Sequence, residues 1–186
     1  MPKIVDHAAM RVSILNRSRE LFASKGFAAV TMRGIAREAG VSTGTLYHYF
    51  ATKEELFAKL VERAASEDIR DALASLPQAA DTHERIDSFL GFVRLAEPRL
   101  QQFLLLTLDY VRHVDAPADV IVRSLRAYRE TIAEHLAELP GEFAVLLLDA
   151  VIGRLVQRRL DPDLPFDDAQ AAMLRALADT LPAPAG

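Results

Sequence analysis

Apolar residues recur along this chain at every third or fourth position, the spacing of one face of a helix. Nowhere is there a sustained period-two run of the kind a strand shows. The first expected helix, from Met10 to Lys25, turns Ile14, Leu15, Leu21 and Phe22 to its buried side. Gly26 suits the left-handed position just past a helix end, and Phe27 can then fold back onto Phe22. Thr31 reads as the N-cap of a short second helix, with Val30 stapled onto Ile35, and Gly40 stops it. Ser42 repeats the signal at once, with Val41 stapled to Leu46. Two short helices separated by a glycine turn, with a longer one before them, form the helix-turn-helix plan.

After Phe50, Thr52-Lys53-Glu54-Glu55 is a capping box that opens a long helix to about Ser75, with Leu56, Phe57, Leu60 and Ala64 along one side. Pro77 and the polar residues after it end that helix. Further helices are expected over 82–95, 98–114, 117–139, 141–160 and 167–181, with Pro or Asp at most of the boundaries. Residues before His7 and the closing Pro-Ala-Pro-Ala-Gly are expected to be disordered. The expected fold is therefore all-α, with about nine helices. A three-helix head over residues 1–52 precedes a helical bundle over 53–186.

Charge changes the picture more than composition does. A content of 51% hydrophobic and 26% charged residues is ordinary for a chain with a real core. The formal net charge is −4, which by itself speaks against a nucleic-acid partner. Through residue 60, however, nine basic residues face five acidic ones, and thereafter thirteen face twenty-one. A basic head on an acidic body suits a DNA reader with a separate partner-binding region. There is no cysteine, which removes disulfides and thiol chemistry. No signal peptide and no apolar run of about 18 residues is present, so a cytoplasmic protein without a membrane partner is expected.

The second short helix carries the candidate chemistry. With Leu46 and Phe50 inward at i, i+4, the residues Thr43, Gly44, Tyr47 and His48 face outward. Gly44 permits close approach to DNA, and Thr43 can read a base edge or a thymine methyl. The backbone N–H groups near Ser42 favour a phosphate, and Tyr47, His48 and Lys53 have the reach of backbone-phosphate donors. Arg33, early in the preceding helix, suits a bidentate contact to guanine.

The run Thr31-Met32-Arg33-Gly34-Ile35-Ala36-Arg37-Glu38-Ala39-Gly40-Val41-Ser42-Thr43-Gly44-Thr45-Leu46-Tyr47-His48-Tyr49-Phe50, continuing through Lys53 to Leu56, resembles the signature of the TetR/AcrR family of bacterial regulators. The resemblance covers about residues 10–60. It implies an all-helical homodimer whose heads bind a near-palindromic double-stranded DNA operator and whose variable C-terminal domain binds a small-molecule inducer. It also implies that Arg33, Thr43, Gly44 and Thr45 approach bases, while Thr31, Tyr47, His48, Tyr49 and Lys53 hold phosphates. One departure is Gly34, where an acidic residue commonly completes a capping box with the threonine. The glycine costs about 1 kcal/mol of helix propensity.

Farther along, Leu100, Phe103, Leu104, Leu108 and Val111 form an apolar face with Thr107 in its middle, while Asp109 and His113 are expected in solvent on the other side. Ser124 and Tyr128 border the next apolar face. Phe103, Thr107, Ser124 and Tyr128 are thus candidates to line a ligand pocket, since a few polar groups among apolar walls are what such a pocket needs. A core in which these groups satisfy one another is the alternative. The helix over 141–160 is apolar nearly all round, with Phe143, Leu146, Leu147, Ala150 and Val151 on one side. The other side, Val145, Leu148, Ile152 and Leu155, could meet a second subunit together with Met173 and Ala176 of the last helix.

Other chemistry finds little support. Gly40-Val41-Ser42-Thr43-Gly44 matches the nucleophile-elbow expression, but that turn needs a strand before the serine, and Ile35–Ala39 are helical. The five histidines include no i, i+4 pair and no Glu-x-x-His, so neither a metal site nor another cofactor is expected. The expected function is a ligand-responsive regulator, a repressor and not an enzyme. The alternative is a small-molecule-binding helical protein with a vestigial head.

Overall fold

The computed structural model of the chain describes residues 6–75, 81–114, 119–165 and 168–182. All regular structure among them is helical: α1 His7–Ala29, α2 Met32–Ala39, α3 Thr43–Tyr49, α4 Lys53–Ser75, α5 Thr82–His113, α6 Asp119–His135, α7 Gly141–Leu160 and α8 Asp168–Thr180. The expected stop at Pro77, the starts at Pro117 and Asp167, and the tail from Ala183 lie outside the described residues, as does everything before Asp6. No described helix is long and apolar enough to cross a membrane.

Two expectations change. Helix α1 starts earlier than Met10, because the Asp6 carboxylate caps it by accepting the Ala8 and Ala9 N–H groups at 3.0 Å. The segments 82–95 and 98–114, read as two helices divided by Pro98, are one continuous α5 with Pro98 inside it. An interior proline costs about 3 kcal/mol. Side chains on either side of this one are tied to other helices. Glu97 pairs with Arg158, Arg99 with Asp68 and Asp71, and Gln101 donates to the Leu155 carbonyl. Tertiary contacts hold the helix through the break that local rules predict.

The chain forms two compact units. One comprises the described residues of Met1–Ala64 and Gln102–Val122, the other those of Ala65–Gln101 and Arg123–Gly186. The first unit is cored by Ile14, Phe22, Phe27, Ile35, Leu46, Phe50 and Phe57, together with Leu106 and Tyr110 from α5 and Val120 from α6. The Phe22 and Phe27 rings stack at 5.9 Å, and Phe27 meets Tyr110 edge-on at 4.7 Å. The second unit buries Ile86, Val93, Phe143, Leu147 and Val151, and it also holds a polar cluster. There the buried Asp68 receives Arg99 at 2.8 Å and the Tyr128 hydroxyl at 3.0 Å. Burial first, then the Asp68 charge, pushes the Tyr128 phenol well above its ordinary range.

Candidate nucleic-acid interface

Helices α1 to α3 are held by the caps that the residue pattern demands. The Thr31 hydroxyl accepts the Gly34 N–H at 3.1 Å and the Ser42 hydroxyl accepts the Thr45 N–H at 2.9 Å. Gly40 ends α2 in the left-handed region, at φ 69°. Val30 and Ile35 are both buried, and so are Leu46 and Phe50 of the next element. The box at Thr52 is shifted. Glu55 donates its N–H to the Thr52 hydroxyl as expected, but its carboxylate reaches back to the Ala51 N–H, one residue beyond the cap.

Fixing Leu46 and Phe50 inward decides what α3 presents. Ser42, Thr43, Gly44, Thr45, Tyr47 and His48 are exposed, and Tyr47 keeps 52% of its surface in solvent. An aromatic side chain this open, beside a run of small hydroxyl residues, offers donors and a flat contact surface without core duties. On α2, Arg33 is exposed, and so is Arg37 one turn later on the same face. The i, i+4 spacing carries the signal for Arg37, which the sequence reading left out.

Several candidate side chains are engaged within the first unit. The Thr45 hydroxyl lies 2.8 Å from that of Ser42. Tyr49 is half-buried, its hydroxyl 2.9 Å from Nδ1 of His7, and its carbonyl accepts from Arg11. His48 and His7 have ring centroids 6.0 Å apart. Lys53 donates to the Phe27 carbonyl at 2.9 Å and sits over that ring, 4.1 Å from its centroid. His7 and Arg11 were missed because their partners lie some forty residues away.

This geometry, an exposed α3 on a capped α2–turn–α3 unit, has close relatives. Residues 14–60 match the model of the bacterial regulatory proteins, tetR family. The chain is 30% identical over 136 residues to the HTH-type transcriptional regulator BetI of Brucella canis, a match spanning 73% of this chain and 68% of that protein. The chain belongs to the tetR family. Another tetR-like match, 39% identical over 74 residues to the HTH-type transcriptional regulator PksA of Bacillus subtilis, spans 38% of this chain and 36% of PksA. A transcriptional regulator from Rhodococcus shares the fold, with TM-score 0.74 at 21% identity, covering 92% of this chain and 99% of that one. As a tetR-family chain this is a transcriptional regulator, and its relatives carry that description, not that of an enzyme.

The remaining candidates fall as follows. Phe103 and Thr107 are half-buried in the first unit, and the buried Thr107 hydroxyl has no hydrogen-bond partner. Ser124 and Tyr128 belong to the second unit, Ser124 buried and Tyr128 bonded to Asp68. On α7, Val145 is exposed and Leu148 and Ile152 are half-buried, while Leu155 is buried in the second unit's own core and offers no surface. Leu155 is one turn beyond Val151 on the face of Phe143 and Leu147, so its own helix periodicity draws it inward. Leu146, expected on that buried face, is 44% exposed instead. Met173, 74% exposed, and Ala176 lie open on α8.

Proposed function

We propose that the chain is a ligand-responsive repressor that binds a palindromic operator as a homodimer in the cytoplasm. The observation that carries this reading is the α3 face, where Thr43, Gly44, Tyr47 and His48 stand in solvent because Leu46 and Phe50 are fully buried. Thr43 and Gly44 approach base edges from the major groove, and Arg33 contacts guanine. Thr45 joins Thr43 and Gly44 in approaching bases, while Tyr47 and His48 hold phosphates, with Thr31, Ser42, Tyr49 and Lys53 supporting them from their capped or bonded positions.

A second copy meets the chain on the α7 and α8 side chains Val145, Leu148, Ile152, Met173 and Ala176. Exposed apolar residues at helical spacing, with Val156 and Leu160 beside them, support this. A small-molecule effector is taken up by the second unit, where Ser124 and Tyr128 are the proposed contacts. Ligand and DNA then weaken each other's binding.

The test is a gel shift with DNA taken from upstream of the protein's own coding region. A sequence-specific, salt-sensitive complex is expected, weakened by Arg33→Ala and by Tyr47→Ala. Binding left unchanged by both substitutions would refute the docking, and the absence of any specific complex would refute the reading.

A further inference from the structure

Asp109 sits on α5, in the segment that belongs to the first unit, and was expected in solvent. It instead meets the break in α1. Gly26 leaves helical geometry at φ 75°, ψ 167°, which frees the N–H of the next residue from the helix, while that residue's carbonyl still accepts the Val30 N–H. Phe27 donates its N–H to Oδ2 of Asp109 at 2.6 Å, and its carbonyl accepts from Lys53 of α4 at 2.9 Å. The two polar groups of one residue are thus held by charged side chains from two other helices. A Cβ on Gly26 would lie 2.9 Å from the same carboxylate oxygen, so both the positive φ and the close approach require glycine there. His113 is a titratable neighbour on the same helix, with Nδ1 3.3 Å from Oδ1 of Asp109.

We propose that Asp109 is a positioning residue for the DNA-reading head, acting through the Phe27 backbone on the start of α2. Tyr110, next along α5, packs its ring on Phe27 and on Phe57 at 4.7 and 4.4 Å, so α5 grips the same residue by ring and by backbone. The aromatic contacts, one edge-on and one stacked, are less directional than a hydrogen bond. The short, charged hydrogen bond fixes direction. From Phe27 the chain runs three residues to buried Val30, then to Thr31, the α2 cap, and two residues later to Arg33. An anchor at Phe27 therefore sets the angle at which α2, and α3 after it, leave the head's core.

The inference rests on reading the head as a DNA reader, and its test separates the two. In the full-length protein the Phe27 amide is followed by isotope-edited NMR and hydrogen exchange. The ratio of affinities for upstream DNA and for shuffled DNA is measured in parallel. Asp109→Asn is expected to move the Phe27 amide proton upfield and to lower the affinity ratio about tenfold, with a larger loss in Asp109→Ala. Leu108→Ala, at an exposed neighbouring position, is expected to change neither. Should Asp109→Ala fail to fold, Asp109→Asn decides. An unmoved Phe27 amide, or a folded Asp109→Asn protein whose affinity ratio stays within about twofold, would overturn the proposal. Should the wild type show no sequence preference, the DNA reading fails. The amide shifts of Thr31–Arg33 in Asp109→Asn then judge the positioning alone, unmoved shifts overturning it and moved shifts supporting it.

Discussion

The two units of this chain are held together by different kinds of contact, and the difference explains what each can do. In the first, helix ends are closed by hydroxyls three residues from their donors, and the core is a cluster of phenylalanines with Tyr110. In the second, the cross-links end on charged side chains and are distant along the chain. Asp68 with Tyr128 spans 60 residues, Glu97 with Arg158 spans 61 and Asp87 with Arg175 spans 88. A head whose helix ends are closed by short-range caps frees one helix face for reading, and the long-range polar tie from Asp109 goes to the Phe27 backbone. A unit built on polar pairs among apolar walls has groups that a bound molecule could engage in exchange.

The sharpest way to break that comparison is to remove Asp68. Its loss takes the buried acceptor from the Tyr128 hydroxyl and leaves Arg99 with Asp71 alone, and Asp68→Ala is expected to cost about 1–3 kcal/mol in chemical unfolding. A cost near zero would mean that the polar cluster does not hold the second unit. In the first unit the corresponding local change is milder. Ser42→Ala removes the α3 cap and is expected to cost about 1 kcal/mol by the same measurement.

Legibility follows the same line. The caps at Thr31 and Ser42, the staple residues Val30 and Leu46 and the glycine stop at Gly40 could all be read from the chain, because each is a rule about neighbours within five residues. The exposed α3 face followed from two apolar positions. The continuity of α5 through Pro98 could not be read, since it depends on partners as far away as Arg158. Asp109 was misplaced for the same reason. Helix periodicity put it opposite an apolar face, and nothing local reveals that the break at Gly26 brings a backbone N–H to it. Leu155 was assigned to a partner surface when its own core takes it.

Smaller effects sharpen the contrast further. A Cβ at Gly34 would sit 3.3 Å from the Thr31 hydroxyl, close enough to need a slight adjustment of the cap. Gly34→Ala is therefore expected to gain about 0.5 kcal/mol, less than the full helix-propensity difference, in thermal unfolding. A loss would show that the cap cannot adjust.

The smallest effect is a pH dependence in the second unit. Burial first, then the Arg85 charge, holds the His135 imidazole below its ordinary range, with Glu138 opposing. The unfolded chain then binds this proton more readily than the folded one, so stability falls as pH drops through the ordinary imidazole range near about 6.5. His135→Gln is expected to flatten that slope in thermal melts between pH 7 and 5, and an unaltered slope would assign it elsewhere.

The central claim is that the exposed α3 face reads DNA sequence. Its most direct measurement is the affinity for upstream DNA against shuffled DNA of equal composition, taken at two salt concentrations. The account predicts a preference of at least about 1,000-fold and a steep loss of affinity with salt. Equal affinity for both DNAs at either salt concentration would contradict it.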